Sequence, residues 1–408
     1  MSAASSAALD GVGPDEAVGA YSELLDEAID LAALRESVLK HLRDQGFKVS
    51  DGGLIMPVSD LKESIRGLHE EAVQAQRDRA EPALARHDTA FTFRLAAGSE
   101  IEPKNIRPRL IRVEGRSQNA LLWRWCSLHW SIPVSSGYGR RLRFLVVDAA
   151  HNNAVIGLIG LADPVYALGV RDREIGWSAD ERRERLTSVM DAFVLGAVPP
   201  YSHLLGGKLM AMLLSSDEIR DAFAETYGHR ITLIGEKDPK AQLSLITTTS
   251  ALGRSSVYNR VKRRDSSLIV ESVGYTIGSG DFHFSGAIYE QLSALALAEV
   301  ADGDTHRHKK WGTGFRNRRE VIQRSLKALG MNPNRMRIHG IKREVFLAPL
   351  AANTYSYLRG ETDDLDWKTD TTESLGTWWR ERWAEPRALS NDEWCNFLPA
   401  QWTLYPKD

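Results

Sequence analysis

Apolar residues recur at helical spacing from Tyr21 to Gln45, at Leu24, Leu25, Ile29, Leu31, Leu34, Val38, Leu39 and Leu42, until Gly46 stops the pattern. Ser59 opens a second helix, charged along one side, that runs to about Arg79. The texture then changes. Arg143 to Asp148 and Ala154 to Leu161 are apolar runs joined by Ala-Ala-His-Asn-Asn, which predicts a β-hairpin because Asn152 and Asn153 tolerate positive φ. Gly157 and Gly160 thin the second of these strands and let something approach its backbone. A helix over Asp180 to Val189, a strand over Met190 to Val198 and a helix over Lys208 to Tyr227 follow, the last with Leu209, Met212, Leu213, Ile219 and Phe223 towards the core. Strands are expected at Arg230 to Gly235, at Gln242 to Thr248 and within 265–285. Helices are expected at Ile288 to Val300 and Arg319 to Leu329, and a capped terminal segment from Ser390.

This order predicts an α/β (α+β) chain with a mixed sheet core and no internal repeat. Four consecutive segments are expected. They are a disordered Ala/Ser/Gly-rich tail (1–16), a helical section (17–105), an α/β core (106–290), and an extension (291–408) with a basic stretch and a docked Trp-rich tail.

The 408 residues carry a net charge of −2, so overall charge points to no partner, but its distribution is uneven. Residues 251–345 sum to +8 and residues 346–408 to −5. The two cysteines, Cys126 and Cys395, form no C-x-x-C pair, which argues for a reducing compartment and against a zinc site. No signal peptide and no run of 18 apolar residues is visible, so a cytoplasmic protein without membrane contact is expected.

Two stretches concentrate candidate chemistry. Val194 to Lys208 reads as a strand, a stiff Pro199-Pro200 turn and a Gly206-Gly207-Lys208 at the mouth of a helix. Backbone donors, a helix N-terminus and an ammonium meeting at one point suit a phosphate, with Ser202 and His203 beside it. The competing reading is a helix start whose glycines pack tightly on a sheet. Ile246 to Arg260 places seven hydroxyl side chains at a strand end. There Arg254 and Ser255 are candidate phosphate contacts, and Ser256 and Tyr258 candidate catalytic groups. The competing reading is a capped turn. Asp172, in the loop before Trp177, is a candidate general base. The stretch His306 to Arg319 interleaves cations with rings; Lys309, Lys310, Trp311, Arg316, Arg318 and Arg319 are candidate nucleic-acid contacts, against a plain solvated loop. Its His-x-His spacing lacks further ligands, so no metal is expected. Six of the eleven Trp lie between Trp367 and Trp402, which reads first as a docked tail.

Six of these runs, Val134 to Phe144, Arg171 to Ser178, Met190 to Tyr201, Leu205 to Leu209, Thr247 to Arg260 and His339 to Leu350, resemble the bacterial DruA family of the Druantia anti-phage system. The resemblance extends from about residue 30 to near the C-terminus. It implies a role in phage defence beside other proteins of the system, among them a helicase-like partner, and brings no established reaction. More distantly, the order hairpin, strand, loop, helix, strand, Tyr is similar to the GNAT-type acyltransferase layout, including Mom-like enzymes that modify DNA bases. That likeness implies an acyl-coenzyme A or nucleotide at His203 to Lys208, where the class has Arg/Gln-x-x-Gly-x-Gly/Ala; His and Lys at the two ends depart from it. Group transfer to nucleic acid is one expectation, and a non-catalytic subunit that recognises nucleic acid or phage protein for a helicase or nuclease is the other.

Overall fold

The computed structural model describes residues 29–50, 55–134, 139–231, 238–298 and 315–406, the last from residue 318 for side chains. The chain forms two compact units and passes between them several times. One holds the residues up to Arg86 with 130–136 and 277–341, the other 87–129, 137–276 and 342–408. The four consecutive segments expected from the sequence therefore do not coincide with the units.

In the first unit the helix Leu31–Asp44 starts on the Asp30 carboxylate, which accepts from the amides of Ala32 and Ala33. It buries Leu34, Val38 and Leu42. Strands β1 (Phe47–Val49) and β2 (Ile55–Pro57) pair antiparallel beside it. The predicted helix from Ser59 is two helices, Lys62–Gly67 and Glu70–Leu84, separated where Leu68 and His69 turn into the core. Helices Gly286–Ala298 and Phe315–Ala328 pack on each other and complete the unit.

The second unit is built on a seven-stranded sheet. Its strands are β3 (Pro108–Arg112), β4 (Arg141–Asp148), β5 (Ala154–Ala162), β6 (Val189–Ala197), β7 (Leu245–Thr249), β8 (Glu271–Tyr275) and β9 (Glu344–Pro349). Their order is β3-β4-β5-β6-β7-β9-β8. Every neighbouring pair is antiparallel except β6 and β7, which run parallel over Val189–Asp191 and Leu245–Thr247. The two glycines of β5 do serve close approach, one on each face. A Cβ on Gly157 would lie 2.7 Å from Met210 Sδ of the helix Gly206–Leu213. One on Gly160 would lie 2.8 Å from Trp123 of the helix Gln118–Ser127. Successive side chains of a strand alternate between faces, so this odd–even pair receives a helix on each side.

The expected helix Lys208 to Tyr227 is interrupted. Helices Gly206–Leu213 and Asp217–Tyr227 meet at Ser215 and Ser216, where the Asp217 amide donates to Asp370 O at 2.8 Å and Ser215 Oγ to Asp370 Oδ2 at 3.1 Å. Only Glu271–Tyr275 is a strand within 265–285, and residues 232–235 of the strand expected over Arg230 to Gly235 lie outside the described residues. Ser390 ends the helix Glu385–Ser390 and does not begin a segment. Among the described residues no helix is long and apolar enough to cross a membrane.

The tail closes one face of the sheet. Helix Thr372–Trp379 lies on Gly206–Leu213 and on β3. Trp379 is fully buried in the main core and its Nε1 donates to Leu205 O at 3.1 Å. Removing so large a ring leaves a cavity and takes one of the two hydrogen bonds from the Leu205 carbonyl, which keeps that of the Lys208 amide. Trp379→Ala is expected to lower stability by about 3–5 kcal/mol, read from the midpoint and slope of guanidinium unfolding. A loss below about 1 kcal/mol would contradict this packing.

Candidate functional site

The diglycine loop and the hydroxyl-rich turn do meet, but they meet by closing on each other. Lys208 Nζ donates to Asn259 O at 2.7 Å, Val257 O at 3.2 Å and Ser256 O at 3.3 Å. Burial, and then Arg260, hold its pKa below the ordinary lysine value. A Cβ on Gly207 would lie 3.1 Å from Val257 Cγ1. One on Gly206 would lie 2.7 Å from Tyr201 O and 2.8 Å from Ala197 Cβ. The glycines admit protein atoms, as the packing alternative required.

The loop amides are engaged as well. Those of Ser202, His203, Leu204, Gly206 and Lys208 donate to the carbonyls of Val198, Pro200, Tyr201, Tyr201 and Leu205, at 2.9 to 3.1 Å. Leu205, at φ 61°, is the left-handed residue that folds the loop back. On the outside, Arg387 Nε donates to His203 O at 3.3 Å, and the Lys208 ammonium lies 5.9 Å from the Trp383 ring centroid. A diphosphate needs converging amides and a cation; these five amides and the Lys208 ammonium are directed at the chain's own carbonyls instead.

The turn shows the same economy. The Ser255 amide donates to Glu344 Oε2 at 3.1 Å, and Ser272 Oγ donates to Oε1 of the same buried carboxylate at 2.7 Å. Ser250 Oγ donates to Gly253 O and receives the Glu344 amide at 2.8 Å. An internal carboxylate thus occupies the Ser255 position expected to take a phosphate. Arg254 and Ser256 are exposed at its rim. Tyr258 is buried, its ring 4.7 Å from that of Phe346. Burial raises its pKa to about 12, against a hydrogen bond with Thr248.

Asp172 is held by arginines: Oδ1 lies 2.7 Å from Arg171 Nη2 and Oδ2 3.1 Å from Arg182 Nη1. It also accepts from the Leu168 amide at 3.1 Å. The basic stretch is only partly visible. Lys309, Lys310 and Trp311 lie outside the described residues, as does the side chain of Arg316. Arg318 is not a free surface cation. Its Nη2 donates to Asp281 O and Ser285 Oγ, both at 3.3 Å, and to Phe284 O, with the guanidinium 4.3 Å from the Tyr289 ring centroid. Arg319 is exposed. Among the described residues no group of three or more His, Cys, Asp or Glu side chains is placed to hold a metal.

One residue not singled out from the sequence stands at the centre. Asp191 occupies the last rung of the β6–β7 parallel ladder, opposite Thr247. Thr247 Oγ1 donates to its Oδ1 at 2.6 Å. Burial raises the Asp191 carboxyl to about 6, opposed by that hydrogen bond and by the Arg171 charge. Its charge in turn raises Tyr258. A lone Asp in an apolar strand, Val-Met-Asp-Ala-Phe, was the available signal.

The model of the family described as Druantia protein DruA matches residues 59–360. The Druantia protein DruA of Escherichia coli (strain UMEA 4076-1) is 41% identical over 368 residues, covering 89% of each chain. No solved structure matches.

The raised Asp191 carboxyl makes a signed prediction. The unfolded group ionises near 3.9 and the native one near 6, so ionisation penalises the native state. This contribution to stability is complete below about pH 4, declines up to about pH 6 and is level above. Asp191→Asn is expected to remove that decline and raise stability at pH 8 by about 1–3 kcal/mol, measured by urea unfolding across pH. An unchanged pH profile would contradict the assignment.

Proposed function

The chain belongs to the DruA family of the Druantia anti-phage defence system, and we propose that it serves defence by recognising nucleic acid for partner proteins. On this reading it transfers no group at the diglycine loop. The observation that carries the reading is the closure just described. Five loop amides, those of Ser202, His203, Leu204, Gly206 and Lys208, together with the Lys208 ammonium and the Ser255 amide, are turned onto the chain's own oxygens. A coenzyme or nucleotide binding there would have to displace several of these nine internal hydrogen bonds before gaining any. Each is worth about 1 kcal/mol net, and more where a buried group is left unpaired. Recognition needs no such opening; it needs exposed cations.

A second reading is favoured by Asp191. The strand order, with a hairpin at one side and a single parallel pair in the middle, supports the GNAT-like layout. A carboxyl titrating near 6 is matched to accepting a proton near neutral pH. In that reading Asp191, and not Asp172, is the base.

Two variants separate these. Tyr258→Phe and Asp191→Asn are expected to leave phage plating and oligonucleotide affinity within about threefold of the parent chain. Loss of defence by about tenfold or more, with affinity and fold intact, would replace the first reading by the second.

A further inference from the structure

The sheet edge carries a feature that charge summed over long windows conceals. Residues 103–143 hold nine Lys and Arg against one acidic residue, Glu114. That excess equals the one over 251–345, in fewer than half the residues. The fold gathers most of it. Strand β3 is the outer strand of the sheet, with exposed Arg109 and Arg112 along it and exposed Arg107 just before it. Arg116, also exposed, follows in a left-handed turn at φ 61°. The β3–β4 register sets Arg112 opposite Phe144, so Arg143 and Arg141 arrive beside the end of β3.

These residues surround a cavity of about 310 Å³ lined by Arg112, Glu114, Gly115, Arg141 and Arg143 with Val113 and Leu142. A Cβ on Gly115 would meet nothing within 4 Å, so the turn stands back from the opening. The guanidinium of Arg143 lies 5.5 Å from the Trp123 ring centroid and is half-buried. Its pKa is lowered by burial and then by Arg141. Two guanidiniums held near enough to repel, around an opening with one carboxylate, favour an anion between them. Arg112 is partly neutralised, donating to Glu225 Oε2 and Thr226 Oγ1 at 2.8 Å each. Arg109 donates only to a neutral partner here, Asn153 Oδ1, at 3.0 Å.

At the opposite end of β3 a second cavity of about 520 Å³ is lined by Lys104, Arg107 and Arg380 along with Glu100, Glu102 and His151. The Arg380 guanidinium donates to Ile106 O at 3.2 Å. Cations thus line both faces of this edge along the strand, about 17 Å at 3.4 Å per residue, Arg109 on the face of Arg141 and Arg143 and Arg112 on the other. A single phosphate would use one cavity. A row of them suits a repeating anion.

From this arrangement we propose that the β3 edge, with Arg109, Arg112, Arg116, Arg141 and Arg143, binds the phosphodiester backbone of a nucleic acid. The proposal rests on the recognition reading above and names the surface that performs it. Arginine provides bidentate phosphate contacts, and edge cations also keep other strands from adding to β3. Contacts of this kind position the nucleic acid and carry no base sequence.

The test is fluorescence anisotropy of the whole chain with labelled single- and double-stranded oligonucleotides at several salt concentrations. The triple variant Arg109→Glu/Arg116→Glu/Arg141→Glu uses three exposed positions. It is expected to lose affinity by 100-fold or more and to flatten the plot of log K against log salt by about 2 to 3. Arg319→Glu is expected to change the slope by no more than about 1. Circular dichroism checks folding. If the triple variant does not fold, Arg116→Ala and Arg141→Ala singly are each expected to reduce the slope by about 1. Unaltered affinity and slope in folded variants overturn the surface alone, as does competition by polyglutamate as effective as by unlabelled oligonucleotide, which would make the partner an acidic protein. Absence of any oligonucleotide binding by the parent chain overturns the recognition reading and this surface with it.

Discussion

The arrangement of the larger unit depends on a parallel ladder only three residues long. Where β6 meets β7, Val189–Asp191 lies beside Leu245–Thr247, and no further rung follows. Beyond it β6 continues to Ala197 into the Pro199–Gly207 loop, while β7 ends at Thr249 and turns through Ser250 to Tyr258. A parallel pair carries both strands to the same edge of the sheet, so both following loops emerge together. That is why the diglycine and the hydroxyl-rich turn are neighbours although some 50 residues separate them. The chain uses this proximity to join the two loops. Lys208 bonds to three carbonyls of the turn, and Glu344 from β9 bonds to Ser255 and Ser272.

Two carboxylates of the sheet, Asp148 buried and Asp191 half-buried, differ in how they are held. Asp148, at the end of β4, accepts from the amides of Arg107 and Ala150 and from Tyr201 Oη, and lies 2.5 Å from His151 Nδ1. It ties the start of β3, the hairpin turn and the loop after β6 to one point. Asp148 meets four partners. Among the described residues Asp191 accepts one hydrogen bond, from Thr247, and its carboxyl is raised to about 6. Donors to the charged form offset burial, and their scarcity at Asp191 is the physical basis for a reactive reading there.

Much of the sheet was legible in the sequence. The hairpin Arg143–Leu161 was marked by long apolar runs and an Asn-Asn turn, and the β5 glycines by their spacing. The helix break at Ser215 was not, because the apolar period continues through Leu214 to Ile219 and the breaking partner, Asp370, lies more than 150 residues away. Gly206-Gly207-Lys208 is compatible with a phosphate or with tight packing. Choosing between them needed the positions of Tyr201, Val257 and Asn259, which depend on tertiary approach. Arg318 read as one of a run of cations, yet it binds the turn at 281–285. The arginines of β3 and β4 escaped notice for the opposite reason. They are interspersed with strand residues, and only the antiparallel register assembles them.

On the reading proposed above, the loops after β6 and β7 are closed by the chain itself and nucleic acid is met at the β3 edge. Hydrogen–deuterium exchange on the whole chain addresses both halves together. Slow exchange is expected at Ser202, His203, Leu204 and Lys208 in the free protein, unchanged by acyl-coenzyme A or nucleotide, with new protection over residues 107–116 when an oligonucleotide is added. Fast exchange in that loop that becomes slow with a cofactor, with no change at 107–116, would contradict it.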